Sequence, residues 1–316
     1  MSDLEFTPQE PEQNEFNEPG ASLPPVEQSS DEPTELFQSF SQPEVIPPTR
    51  IPHLGHLALF GAFLLAGYLF MMMVLGIALY FHWDGVFALD QIKTNVHYLL
   101  GSEAVLYLAT LLLGTFLFPL FWHKSFFAGI HWRGSTALRL YWQLGITALG
   151  CFALATIDEL LLPGPSNAPI DQIFRSPGAA WVMFGFGITI APFFEEIAFR
   201  GILLPSLATA CDWIGDRFTR QLPRPLDADG HPRWSISAMV IASIATSVPF
   251  ALLHAEQTGR SIGPFLLLVT VSLVLCAVRL KTRSLAASTL VHASYNFLIF
   301  FFMLLGTEGF RHLDKM

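Results

Sequence analysis

The stretch Ala179 to Gly201, AAWVMFGFGITIAPFFEEIAFRG, is apolar for long enough to cross a bilayer, yet it ends in two adjacent carboxylates and an arginine. An ionised carboxylate in hydrocarbon is costly, so Glu195 and Glu196 need either partners or a task. On a helix Glu196 and Arg200 stand four apart with the acid first, the favourable order for an ion pair on one face. Glu195 points about 100° away around the helix and has no charge partner within the stretch. A partly dry carboxylate of that kind is suited to act as a general base.

Composition puts this stretch in context. Hydrophobic residues make up 52% of the 316-residue chain, charged residues 14%, and the mean hydropathy is +0.47. Soluble domains carry charge on nearer a quarter of their residues, so the chain reads as an all-α, polytopic membrane helix bundle. Its charge is segregated. Residues 1–50 hold eleven Asp or Glu and one Arg, leaving 15 acids against 16 bases in the rest. This acidic tail, rich in Pro, Glu, Gln and Ser, cannot bury enough surface to offset its ordering entropy and is expected to be disordered. It lacks the basic start and short apolar core of a signal peptide. Cys151, Cys211 and Cys276 are scattered and odd in number, which indicates neither a disulfide framework nor a cysteine metal site.

A span needs about 20 apolar residues, and seven segments satisfy this, at roughly 56–81, 97–121, 138–162, 179–200, 236–254, 262–280 and 284–305. The polar stretch after Leu253 leaves room for an eighth, broken helix. The layout is thus a tail over 1–50, N-terminal membrane helices over 51–177, a core carrying the chemistry over 178–305 and a short tail over 306–316. Lys124, Arg133 and Arg139, then Arg217, Arg220, Arg224 and Arg233, then Arg279, Lys281 and Arg283 occupy alternate loops, whereas the other loops hold only Lys93, Arg175 and Arg260. Under the positive-inside rule the basic loops and the N-terminus are cytoplasmic. The loop from Asp212 to Trp234, with Pro223, Pro225, Gly230 and Pro232, reads as the longest interior break. Glu103 is a further acid at membrane depth that could line a cavity, and Asp158 and Glu159 lie near a segment end.

Of ten histidines, His254 and His292 are set in or against apolar runs. Phe250 shares a helix face with His254, and His292 shares one with Asn296. Buried polar groups without partners are costly. Convergence of Glu195, His254, His292 and Asn296 on one cavity is the economical arrangement; three separate polar packing sites are the alternative.

Glu195-Glu196-x-x-x-Arg200, Phe250-x-x-x-His254 and His292-x-x-x-Asn296, in that order on successive membrane helices, resemble the three motifs of the CPBP (Abi) intramembrane proteases, the type II CAAX prenyl endopeptidase family. The words FRG after the glutamates and RLKTRSLAASTLVHASYNF through the last motif fit as well. The resemblance covers about Gly178 to Phe300. It implies an endopeptidase in which Glu195, helped by His254, takes a proton from water. His292 and Asn296 then donate to the developing oxyanion, with Glu196 and Arg200 as the structural pair. The implied partners are a membrane-associated peptide or protein, prenylated in the CAAX branch, and the lipid bilayer, with no nucleic acid. No cofactor is needed when glutamate activates the water. In the alternative, zinc is held by Glu195, His254 and His292, since two histidines and a carboxylate can leave a position open for water.

Two other functions are compatible with the same residues: a non-catalytic scaffold or immunity-type protein of this fold, and a transporter using Glu195 as a proton relay. Depth adds a constraint. His254 lies ~19 residues into the fifth segment, or ~28 Å at 1.5 Å per residue, too far to meet Glu195 if that helix enters the membrane at Ser235. A helix protruding from the membrane before about Met239 resolves this; a bend at Pro249 is the other solution.

Overall fold

The computed structural model describes residues 50–86, 88–92, 95–164, 177–219, 225–226 and 233–311. The expected disordered tail lies outside the described residues apart from Arg50, as do Lys93, Arg175, Arg220 and Arg224.

Seven helices or helix runs among the described residues are long and apolar enough to cross a membrane. In chain order they are α1 (Leu54–Tyr80), α2 (Val96–Trp122), α3 (Tyr141–Leu161), a run from Gly178 to Phe218, then three more. The run is divided into α4 (Pro177–Ile188), α5 (Ile190–Glu196), a π-helical stretch over Ile197–Leu203 and α6 (Leu204–Thr219). The last three are α7 (Ile236–His254), α8 (Ile262–Thr282) and α9 (Leu285–Gly306). Each of the seven expected segments is present. The polar stretch after Leu253 is a turn, with Gly259 at φ +63°, and not an eighth helix.

The polarity of the bundle is that of a lipid-solvated protein. Large apolar side chains such as Leu65, Leu69, Phe116, Leu120, Ile146, Ile244 and Leu252 face outward, while Glu196, Arg200, Ser272, Arg279 and His292 are buried. In lipid the hydrophobic effect does not drive helices together, so packing and internal polar contacts do.

Two features of the fourth run depart from the sequence reading. It is not one straight helix, because Pro192 stands four residues after Ile188. A proline there supplies no N–H to that carbonyl and its ring crowds it, and α4 ends at Ile188 with a break at Thr189. Nor does the interior loop begin at Asp212. Helix continues to Thr219, because Asp212 to Thr219 contains neither glycine-proline punctuation nor a strong breaker beyond Gly215.

Asp212, 2% exposed, is a junction instead of a loop residue. It accepts from Arg50 Nη1 at 2.6 Å and from the Ser235 hydroxyl at 2.6 Å, and so ties the chain before α1 to the start of α7. Ser206 Oγ donates to the carbonyl of His53, the N-cap of α1, at 3.2 Å. Asp212 lies six residues farther along α6, about 9 Å at 1.5 Å per residue. The start of α7 is bonded to Asp212 at that point of α6. α7 runs through Pro249 as one helix.

Candidate active site

The end of α5 and the π-helical stretch form the floor of the site. A π turn widens the helix locally and is a frequent device at functional positions. Glu196 and Arg200, both 0% exposed, make the expected ion pair at 2.8 Å. Arg200 also donates through Nη2 to Ser272 Oγ at 2.7 Å on α8, and its guanidinium lies 4.5 Å from the centre of the Phe250 ring. A buried ion pair survives only when further hydrogen bonds take up its remaining polar atoms. Here Ser272 and His292, from two other helices, take up part of them, and Glu196 Oε2 and Arg200 Nε are left without a hydrogen-bond partner among the described residues. The glycine of the FRG word has a steric reason: a Cβ on Gly201 would stand 3.1 Å from Leu285 Cδ2 at the start of α9.

Above this floor the four expected residues converge. His292 Nδ1 is 3.1 Å from Glu196 Oε1, and since a carboxylate only accepts, Nδ1 carries the hydrogen. His254 Nδ1 is 2.8 Å from the Phe250 carbonyl and likewise donates. Both assignments follow from the acceptors present. With Nδ1 so committed, the Nε2 atoms of both rings point at Glu195. His254 Nε2 lies 3.8 Å from Oε1, and His292 Nε2 lies 3.7 Å from Oε2. These separations exceed a direct hydrogen bond and leave a gap between the carboxylate and the two rings. A water, with two hydrogens and two lone pairs, can join them.

Three such groups around a gap also describe a cation site, so the zinc alternative rests on spacing. The two imidazoles approach different oxygens of Glu195. Among the described residues no group of three His, Cys, Asp or Glu is placed to hold a metal ion. No step below is routed through a metal.

Asn296 is present but partly committed. Its Nδ2 donates to the Gly187 carbonyl at 2.8 Å. Gly187 is in the last turn of α4, where carbonyls lose their intrahelical donors, so Asn296 repairs the break that Pro192 causes. The second hydrogen of Nδ2 remains for another acceptor. The close approach needs glycine: a Cβ at Gly187 would come within 2.8 Å of the Phe300 ring.

These groups lie in a cavity of about 1310 Å³ whose wall includes Glu103, Leu106, Met183, Phe186, Glu195, His254, His292 and Asn296. Its rim is formed by the exposed Asp84, His97 and Glu256, at the C-terminal ends of α1 and α7 and the N-terminal end of α2. The cavity thus opens on the face opposite the N-terminus of α1. At the rim Asn95 and His97 both hydrogen-bond to Asp84 at 2.9 Å and hold its carboxyl below the usual range.

Glu103, anticipated only as a cavity acid, does line this cavity, whereas Tyr107 and Ser272 were not anticipated. The Tyr107 hydroxyl donates to Glu103 at 2.6 Å, and its ring stacks on Phe194 at 3.9 Å. The four-residue spacing from Glu103 was the available signal for Tyr107. A lone serine in an apolar helix gave none for Ser272. Asp158 and Glu159, near the end of α3, are not among the cavity-lining residues.

The type II CAAX prenyl endopeptidase Rce1-like family model matches residues 177–298. The matched stretch runs from the first residue of α4 well into α9 and contains all three motifs, so the family they resemble is the one the match identifies. At the level of the family this implies a CAAX-type membrane protease. No curated protein and no solved structure matches the chain.

Proposed function

We propose, from that family-level premise, that the chain is an intramembrane endopeptidase that hydrolyses a peptide bond of a membrane-associated substrate with a water activated by Glu195. The observation that carries this is the facing of three side chains, Glu195 with the Nε2 atoms of His254 and His292 at 3.8 and 3.7 Å from its two oxygens, in a cavity. A water held there loses a proton to Glu195 or His254 as its oxygen attacks the carbonyl carbon. The carbonyl π electrons move to oxygen, where the second N–H of Asn296 is the available donor. His292, whose Nδ1 is committed to Glu196, faces the attacking water through Nε2. When the C–N bond breaks, the proton taken from water passes to the leaving amine, and Glu195 is again ionised. Donors placed where charge develops are worth about 2.7–4 kcal/mol each in acyl transfer.

Sidedness bears on the substrate. The basic loops favour a cytoplasmic N-terminus, and the cavity opens on the opposite face. That combination favours a peptide segment presented from the non-cytoplasmic side over a prenylated cytoplasmic tail. The scaffold reading gives no task to a cavity on which Glu195, His254 and His292 converge, and the transporter reading calls for a path through the bundle, whereas His292 and the Glu196–Arg200 pair lie buried beneath the site.

Purified protein and its Glu195→Ala variant, incubated with quenched peptides with and without a farnesylated CAAX end, test this. Cleavage abolished in the variant and unaffected by a zinc chelator is expected. Cleavage that persists in Glu195→Ala, or that the chelator removes, overturns the mechanism.

A further inference from the structure

Four carboxylates line the cavity, and no lysine or arginine does among the described residues. Three of the four have basic partners. Asp84 is bonded to His97, Glu256 to Arg260, and Glu195 faces His254 and His292. Glu103 differs, because its hydrogen bond comes from the neutral hydroxyl of Tyr107. It stands about 10 Å below the start of α2, at 1.5 Å per residue, between the rim and the reacting groups. The wall around it is apolar, with Leu99, Leu100 and Leu106 on its own helix and Phe186 opposite. A carboxylate in such surroundings attracts a counter-charge far more strongly than one in water, and beyond the imidazole of His254 no lysine or arginine of the cavity lining supplies one.

We propose that Glu103 is a specificity residue of this cavity, receiving the cationic side chain of a lysine or arginine in the substrate peptide. The inference rests on the endopeptidase reading and names the substrate class: an apolar, membrane-associated segment with a basic residue close to the cleaved bond. Closeness follows from the packing. Tyr107 lies one turn beyond Glu103 and stacks on Phe194, the neighbour of Glu195. A side chain held at Glu103 therefore brings its own backbone, within one to three residues, to the water site. The Tyr107 hydroxyl fixes one oxygen of the carboxylate and leaves the other to face the substrate.

The test uses full-length protein in detergent and two fluorescent peptides that differ only in a lysine or a norleucine within three residues of the cleavage position. Binding is read by anisotropy on the Glu195→Ala background, with and without Glu103→Gln; the glutamine keeps an acceptor for Tyr107. The lysine peptide is expected to bind about tenfold more tightly than the norleucine peptide when Glu103 is present. The ratio is expected to fall to about one with Glu103→Gln. On active protein the same change raises KM for the lysine peptide and leaves kcat for the norleucine peptide unaltered. An equal ratio in both backgrounds, no preference for lysine, or equal loss of kcat on both peptides overturns the inference. A binding preference that depends on Glu103, with no hydrolysis of either peptide, keeps the inference and rejects the endopeptidase reading.

Discussion

At the scale of single residues, the buried Glu196–Arg200 pair does two jobs. It holds the π-helical stretch against α8 through Ser272, and it holds the His292 ring with Nε2 toward Glu195. Arg200→Met leaves a carboxylate buried without its cation, a change that costs about 3–5 kcal/mol. The thermal unfolding midpoint in detergent should drop sharply. Adding Glu196→Gln to Arg200→Met should recover part of the loss, since the glutamine oxygen still accepts from His292 and no uncompensated charge remains. A double variant no more stable than the single one sinks this account.

At the scale of elements, one close approach joins the end of α3 to the start of α8. A Cβ at Gly263, at the start of α8, would stand 2.3 Å from the carbonyl oxygen of Leu162 just past the end of α3. Gly263→Ala should lower the unfolding midpoint, because backbone cannot yield as a side-chain end does. Gly61, on the outside of α1, has nothing within 4 Å of its Cβ position, and Gly61→Ala should be neutral or stabilising, by up to about 1 kcal/mol. The reverse order of the two variants would remove the helix contact as the explanation. The start of α7 offers a second check. If α6 and the first turn of α7 stand in water, Ser237→Cys in a Cys211→Ser background reacts with a membrane-impermeant maleimide, while Ile244→Cys, exposed only to lipid, does not. Equal labelling of both positions would place the α7 entry elsewhere.

For the whole molecule, sidedness is the open consequence. Arg217 lies on the face of the N-terminus of α1 and Gln257 on the face where the cavity opens. Arg217→Cys is expected to label only from the cytoplasmic side and Gln257→Cys only from the other, in intact cells against inverted vesicles. The opposite pattern would place the cavity mouth in the cytoplasm and restore prenylated tails as the natural substrates.

The sequence alone determined the seven spans, since hydrocarbon thickness fixes the length of apolar run a crossing needs, and α7 was placed at residues 236–254 as observed. It also determined the Glu196–Arg200 pair, because the helical repeat puts residues four apart on one face. The acid at 103 and the three motif positions were legible as polar groups with no right to be in lipid. Tertiary structure decided the rest. That Pro192 breaks the fourth run and thereby gives Asn296 a carbonyl to hold depends on α9 lying against α4. That Asp212 is a buried junction depends on Arg50 and Ser235 arriving from 162 and 23 residues away. The Nε2 atoms of His254 and His292 face Glu195 only because Phe250 and Glu196 take the other nitrogens. Local periodicity reports which residues share a helix face; which faces meet, and across which gap, is set by packing between segments remote in the chain.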